Sequence, residues 1–147
     1  MKVKDVMHRG VAWVGPETSI KQLAQMMRDE DIGSIPIGEN DRLVGMVTDR
    51  DLAVRLLAEG RDPGRTKVRE VMTPEVRYVF EDEDVSHVAD NMAEQQVRRM
   101  PVVNRDKRLV GVVSVGDLAQ GKDPQLAGRA LQGASRKGGR HMQTAAE

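Results

Sequence analysis

Two pairs of polar residues are candidates for binding chemistry: Thr48 with Asp51, and Ser114 with Asp117. In each pair a hydroxyl residue follows a short apolar segment, and the aspartate stands three positions later. A hydroxyl and a carboxylate at this spacing can form a capping box, in which each side chain accepts a hydrogen bond from the other residue's backbone amide. A carboxylate can also accept hydrogen bonds from the hydroxyls of a ribose, as acidic residues do in dinucleotide sites.

Three further features favour a nucleotide, although the capping box alone also explains the pattern. A glycine in each preceding strand, Gly45 or Gly111, allows another group to approach the backbone closely. The free amides at the start of the following helix attract an anion. Arg98 and Arg99, upstream of the second pair, suit phosphate. These features predict a nucleotide site. The hydroxyl side chain, the helix amides and the arginines would bind the phosphate, and the aspartate would bind the ribose.

The elements that position these residues occur twice. The two hydroxyl residues are 66 positions apart, and other segments recur at 65 positions, including Val6-Met7 with Val71-Met72. One extra residue in the second copy, within 104–108, accounts for the difference. Self-similarity at a fixed period indicates a duplicated structural unit.

Each copy has the pattern of a strand, an amphipathic helix, two strands joined by a polar turn, and a second helix. The first strands are predicted at Val11 to Val14 and at Val76 to Val79. Thr18 is predicted to cap the amphipathic helix of the first copy. Asp84 or Asp82 is predicted to cap the equivalent helix of the second copy. The apolar positions of these helices recur with helical spacing: Ile20, Leu23, Ala24 and Met27, then Val85, Val88, Ala89 and Met92. The polar turns at 39–42 and 104–108 predict antiparallel hairpins.

The predicted organisation is a first repeat at 1–60, a linker at 61–66, a second repeat at 67–120 and a glycine-rich tail at 121–147. The tail carries five Lys or Arg and two acids. Leu126, Ala130 and Leu131 predict one or two helical turns, and residues from Ser135 onward are expected to be mobile. The tail either is solvated or contacts nucleic acid or an acidic partner.

Composition excludes several classes of function. The chain has 147 residues, a formal net charge of zero, no cysteine and no apolar run of membrane-spanning length. We therefore expect a cytoplasmic protein without disulfides or thiolate metal sites, and not a dedicated nucleic-acid binder. No hydrolase, zinc-protease or P-loop motif is present, and His8, His87 and His141 are dispersed, which argues against an enzyme.

Large side chains are scarce, with one Trp, one Tyr and one Phe. Trp13 and Tyr78 occupy equivalent positions and either pack in the core or stack on a ligand's ring. The methionines at helical spacing are interpreted as core residues rather than a partner groove. The apolar stripes of the two amphipathic helices, together with Leu52 and Leu56, supply more apolar surface than one interface between the two sheets needs. This excess predicts a homodimer.

In these features the chain resembles a tandem pair of cystathionine-β-synthase (CBS) domains, the Bateman module, over about residues 1 to 120. Within that family it is similar to small stand-alone bacterial proteins such as the hypoxic response proteins. The resemblance is carried by the lead-ins Asp5-Val6-Met7 and Glu70-Val71-Met72, by the Ile-Pro-Ile and Met-Pro-Val strands, and by the two segments that contain the hydroxyl–aspartate pairs.

The resemblance implies an α+β fold of two βαββα repeats packed around a pseudo-twofold axis. It also implies a regulatory, energy-sensing module without catalytic cofactor, with clefts between the repeats for AMP, ADP, ATP, S-adenosylmethionine or a dinucleotide, signalling to an unknown protein in trans. The residues implied at the sites are Thr48, Asp51, Ser114, Asp117, Ser34, Ile35, Arg99, Met100 and Thr73. The alternative is a structural or interaction protein without ligand, in which the hydroxyl–aspartate pairs only cap helices.

Two departures between the repeats predict chemically unequal sites. Gly116 stands where the first repeat has Arg50, and Gly33-Ser34 stands where the second has Arg98-Arg99. The arginine pair is expected to favour ligands with more phosphates. Arg50 either contacts phosphate in the same way or points to solvent.

Overall fold

The computed structural model describes residues 1–10 and 12–136. The strands in chain order are β1 (His8–Arg9), β2 (Ser34–Glu39), β3 (Arg42–Thr48), β4 (Thr73–Pro74), β5 (Val79–Phe80), β6 (Arg99–Val103) and β7 (Leu109–Ser114). The α-helices are α1 (Ile20–Glu30), α2 (Asp49–Asp51, continued by a π-helical segment at Leu52–Leu57), α3 (Val68–Val71), α4 (Val85–Gln95), α5 (Val115–Ala119) and α6 (Gln125–Ala134). A 3₁₀ turn covers Val3–Asp5.

The chain forms two compact units, a continuous unit (Ala12–Val76) and a discontinuous unit (Met1–Val11 with Arg77–Glu147). The α+β class is confirmed. The predicted β-α-β-β-α order is present in the second repeat as β5, α4, β6, β7 and α5. In the first repeat the opening strand is reduced to a parallel bridge between Val14 and Ile37, followed by α1, β2, β3 and α2. Val11 lies outside the described residues.

In the continuous unit, β2 and β3 form an antiparallel hairpin and β4 adds to the free edge of β3. Helix α1 packs its predicted stripe on this sheet, burying Ile20, Leu23 and Met27. Its N-cap is Ser19 rather than the predicted Thr18. The Ser19 hydroxyl accepts a hydrogen bond from the Gln22 amide at 3.2 Å, while the Thr18 carbonyl is bonded to the Val68 amide.

In the discontinuous unit the strand order is β1-β7-β6-β5, with β6 and β7 antiparallel and β5 parallel to β6. Asp84 caps α4, as one of the two predicted alternatives, by accepting the Ser86 amide at 2.9 Å. The core contains aliphatic and methionine side chains from the sheet, from α4 and from α6: Val79, Val88, Met92, Met100, Val102, Val113, Leu126 and Ala130.

The short strands that follow the two lead-in segments are exchanged between the repeats. Strand β1 precedes the first repeat but pairs with β7 of the second, and β4 precedes the second repeat but pairs with β3 of the first. The strand glycines permit this pairing, because a Cβ on Gly45 would lie 3.0 Å from the Thr73 carbonyl oxygen and one on Gly111 would meet the His8 carbonyl. The group that approaches these glycines is therefore a protein strand.

Helix α6 is longer than the one or two turns predicted for this part of the chain. It buries Leu126 and Ala130 against α4, and Leu131 faces away from that contact. Gly133 allows the close approach, since a Cβ there would lie 2.6 Å from the Ala93 carbonyl oxygen. The predictions for residues 137–147, including the basic end of the tail and His141, lie outside the described residues.

The aromatic pair is not part of either core. Trp13 is 43% exposed and Tyr78 is 37% exposed. Trp13 covers Gly38, and Tyr78 contacts Phe80 edge-on at 5.6 Å between ring centroids. The methionines at helical spacing, Met27 and Met92, are buried, as predicted. Within the described ranges, no helix combines the length and apolar character needed to cross a membrane.

Candidate functional site

The first hydroxyl–aspartate pair forms a complete capping box at the start of α2. The Thr48 amide donates to Asp51 Oδ2 at 2.9 Å, and the Asp51 amide donates to Thr48 Oγ1 at 3.2 Å. Thr48 ends β3 in an extended conformation, so the strand leads directly into the helix. The capping interpretation is thus correct for the local geometry of this pair.

The second pair repeats this geometry at the start of α5. The Ser114 amide donates to Asp117 Oδ2 at 2.8 Å, and the Asp117 amide donates to Ser114 Oγ at 3.2 Å. The two copies differ by no more than 0.1 Å in either hydrogen bond. The duplication seen in the sequence is therefore also a duplication of side-chain geometry.

Each cap uses one oxygen of its carboxylate, and the other oxygen lies near an arginine or a histidine side chain. Asp51 Oδ1 lies 3.9 Å from Arg55 Nε, and Asp117 Oδ1 lies 3.7 Å from His8 Nδ1. Both aspartate side chains are 16% exposed. Capping and ligand binding are consequently compatible, since a ligand hydroxyl can bond to Oδ1 while Oδ2 remains on the backbone amide.

His8 and Arg55 were not predicted as site residues. His8 stands 65 positions before Thr73, the repeat period, and both belong to the exchanged lead-in strands. That spacing was the available signal for His8. Arg55 follows Asp51 by one helical turn and also donates to the carbonyls of Val71 and Met72 at 3.2 and 3.3 Å, which ties α2 to the end of α3.

The inner strands bring Ser34 opposite Thr48, and Arg99 opposite Ser114. Directly opposed residues in an antiparallel pair share a sheet face, so each lies beside its hydroxyl partner. Ser34 is 9% exposed, and its Oγ has no hydrogen-bond partner among residues 1–10 and 12–136. We call Ser34, Thr48 and Asp51 the first site, and Arg98, Arg99, Ser114 and Asp117 the second site; each lies within one compact unit.

The remaining predicted residues contribute unequally. Ile35 and Met100 bury their side chains in the two cores, which leaves only their backbone groups for a ligand. Thr73 is buried in β4, where it pairs with Met46. Arg50, Arg98 and Arg99 are exposed.

The start of α2 does not offer the free amides that the sequence predicted. The Asp49 amide donates to the Gly33 carbonyl at 2.9 Å, the Arg50 amide to Asp49 Oδ1 at 2.9 Å, and the Asp51 amide to Thr48. The expected anion site at this helix end is therefore wrong, because a neighbouring carboxylate and the capping hydroxyl satisfy the donors.

Comparison with known proteins identifies the family. The CBS domain matches residues 3–58 and 68–121. Hypoxic response protein 1 of Mycobacterium tuberculosis is 41% identical over 118 residues, covering 80% of this chain and 82% of that protein. The CBS domain-containing protein YhcV of Bacillus subtilis is 42% identical over 130 residues, covering 88% and 91%.

Solved structures agree with this relationship. A crystal structure of Hypoxic Response Protein I with two coordinated zinc ions has a TM-score of 0.77 at 39% identity, covering 84% of this chain and all of that one. The crystal structure of the CBS domain pair of MJ0100 in complex with 5-methylthioadenosine and S-adenosyl-L-methionine has a TM-score of 0.73 at 30% identity. The match covers 82% of this chain and 94% of that one. The crystal structure of CBSX2 in complex with AMP has a TM-score of 0.71 at 25% identity, and the match covers 81% of this chain and 93% of that one. The chain belongs to the CBS domain family, as a protein with a tandem pair of CBS domains.

Proposed function

We propose that the protein is a non-catalytic regulatory module that binds adenosine-containing ligands, among them AMP, ADP or ATP, and transmits their binding to a partner protein in trans. The observation that carries the proposal is the duplicated capping geometry, in which Asp51 and Asp117 each keep Oδ1 available beside the capped backbone. Relatives with the same fold support it, since CBSX2 was crystallised with AMP and the MJ0100 pair with two adenosine derivatives.

The geometry suits recognition of a ribose. The cap holds each carboxylate at a fixed position, so less side-chain freedom is lost when a ligand binds. Oδ1 can then accept a hydrogen bond from a ribose hydroxyl, and a hydrogen bond to a charged acceptor is stronger than a neutral one. At the second site, the exposed residues Arg98 and Arg99 have the side-chain chemistry that suits phosphate oxygens.

Zinc is a weaker candidate for this chain, although a related crystal structure contains two zinc ions. The sequence has no cysteine. In the part of the chain that the structure describes, no group of three or more His, Asp or Glu side chains is placed to hold a metal ion. His8 and Asp117 supply two potential ligands at most, whereas protein zinc sites use three or four.

The test of the proposed function is calorimetric titration of Asp51→Ala and Asp117→Ala with adenosine, AMP, ADP and ATP. Removing a charged acceptor costs about 1.5–3 kcal/mol, so we expect a loss of about ten- to a hundredfold in affinity at the altered site. Asp84→Ala is the matched control, because it removes a helix-capping carboxylate that is not in either site. It should destabilise the protein without changing nucleotide affinity.

A second candidate function is a structural protein whose hydroxyl–aspartate pairs only cap helices. The observation in its favour is that both capping boxes are complete without a ligand. If no adenosine compound binds below millimolar concentration, or if Asp84→Ala lowers affinity as much as Asp51→Ala does, the capping role alone explains the motif.

We also propose that the protein is a homodimer. Val54 and Leu57, one turn apart on the segment that continues α2, are 47% and 77% exposed. Exposed apolar side chains that form a contiguous patch mark interaction sites, whereas scattered ones do not. A second copy of the chain would bury them.

A further inference from the structure

Asp49, at the first position of α2, has no role in the proposed recognition of ribose. Its amide donates to the Gly33 carbonyl at 2.9 Å, and its Oδ1 accepts the Arg50 amide at 2.9 Å. The carboxylate also lies against Gly33, because a Cβ built there would be 2.7 Å from Asp49 Oδ2. The side chain is therefore folded back over the start of the helix, beside the first site.

This carboxylate places a negative charge at the start of the helix. A helix start attracts anions through its free amides and its positive end, and here Asp49 supplies the anion from within the chain. Arg55 does not restore a positive charge, since it is held by Asp51 and by the carbonyls of Val71 and Met72. Arg50 contributes its amide, and its side chain is exposed.

The second site has a different chemistry at the equivalent positions. Val115 replaces Asp49, and Arg98 replaces Gly33. The backbone hydrogen bond is the same, with the Val115 amide donating to the Arg98 carbonyl at 2.9 Å. Similar backbone geometry thus carries a carboxylate at the first site and a guanidinium at the second.

An independent observation at the first site is a buried polar side chain without a hydrogen-bond partner. Ser34 Oγ is buried on the sheet face that carries Thr48 and is without a partner in the described ranges. A buried hydroxyl without a hydrogen bond is unfavourable. Because a hydroxyl is neutral and both donates and accepts, it matches a sugar hydroxyl or a base rather than requiring an anion.

We infer that the first site takes an adenosine derivative that lacks phosphate, with Asp49 excluding phosphorylated ligands and Ser34 bonding to the nucleoside. This inference rests on the proposed function and names the ligand class of one of its two sites. Like charges a few ångströms apart near a protein surface repel enough to lower affinity by about tenfold. Asp49 is therefore a specificity-determining residue.

The experiment is a titration of the ¹⁵N-labelled protein with adenosine and with AMP, followed by NMR. The amides of Ser34 and Asp51 report the first site, and those of Arg99 and Asp117 report the second. In the wild-type protein, we expect adenosine to bind the first site about tenfold more tightly than AMP. In Asp49→Asn, AMP should gain affinity at this site until the difference falls to about twofold or less, while adenosine is unchanged.

Val115→Asp is the reciprocal variant and should lower AMP affinity at the second site only. Equal affinity of AMP and adenosine for the wild-type first site would overturn the inference, and so would an Asp49→Asn variant with an unchanged ratio. In either case the proposed function stands, because adenosine compounds still bind. If neither compound shifts the amides of either site, the proposed function and the inference both fail. The wild-type comparison needs no variant and is decisive even if a substitution impairs folding.

Discussion

At the scale of single residues, the two oxygens of each site carboxylate have separate roles. Oδ2 of Asp51 and of Asp117 completes a helix cap, and Oδ1 faces Arg55 or His8. The cap fixes the orientation of the carboxylate, and the partner differs between the sites. A ligand that approaches Oδ1 therefore lies beside the Arg55 side chain at the first site and beside the His8 imidazole at the second.

The arginine pair at the second site should act on phosphate and not on the nucleoside. We expect the double variant Arg98→Ala/Arg99→Ala to weaken the binding of ATP more than that of AMP, and the binding of AMP more than that of adenosine. The affinity for ATP should fall by at least tenfold. Calorimetry against adenosine, AMP, ADP and ATP measures this order.

Lys21→Ala/Arg65→Ala is the control for that variant, because it removes two exposed positive charges in the other unit. Its ligand affinities should match those of the wild-type protein. An equal loss for adenosine and for the phosphorylated ligands in the arginine variant would show that the pair acts through folding or packing.

At the scale of elements, α6 completes the core of the discontinuous unit. It packs on α4, and a Cβ added to Gly133 would overlap the backbone of Ala93. Gly128 is in the same helix, and an added Cβ there would meet nothing within 4 Å. The two glycines therefore provide a matched pair for testing the contact.

Gly133→Ala should destabilise the protein by about 1–3 kcal/mol, because the new methyl group overpacks against Ala93. Gly128→Ala should instead stabilise it by about 0.5–1 kcal/mol, because alanine is the better helix former and the site has space. The free energy of unfolding in urea measures both changes. If the two variants have the same stability, α6 does not pack on α4 as described.

The elements with a strong local pattern were predicted from the sequence, and those defined by distant contacts were not. The apolar spacing of Ile20, Leu23 and Met27 predicted α1, and the polar turns predicted both hairpins. The exchange of β1 and β4 was not predicted, because two-residue strands carry no pattern that names their partner. Helix α6 was underestimated because its buried face consists largely of alanine and glycine, which give a weak hydrophobic period.

The same distinction between local pattern and distant contact applies to the geometry of the candidate sites. The spacing predicted the two capping boxes, Thr48 with Asp51 and Ser114 with Asp117, because the motif is local in the chain. His8 was missed, since it reaches Asp117 only through the exchanged strand. The expectation of free amides at α2 failed because it did not take into account that the Asp49 side chain folds back onto the helix start.

At the scale of the whole molecule, each of the two compact units contains one candidate site built from the same backbone elements. The units differ in the charges that surround those elements, with Asp49 and Gly33 in one and Val115 and Arg98 in the other. A gene duplication that preserved the caps while changing the neighbouring charges would allow one chain to respond to two classes of adenosine compound.

The proposed homodimer makes a prediction at this scale. Light scattering after size-exclusion chromatography should give about twice the chain mass of 16.3 kDa at micromolar concentration. Leu57→Asp should lower that mass, because it places a charge in the apolar contact. Leu131→Asp, on the exposed side of α6, is the control and should remain dimeric. A wild-type mass near 16.3 kDa would contradict the dimer.

The most direct test of the central claim is a crystal structure of the protein grown with saturating AMP or adenosine. We predict a ribose whose hydroxyls lie within hydrogen-bond distance of Asp51 Oδ1 or Asp117 Oδ1, with both capping boxes retained. A ligand bound away from both aspartates would contradict the account. So would a structure in which both sites contain only solvent at a concentration where the protein was saturated in solution.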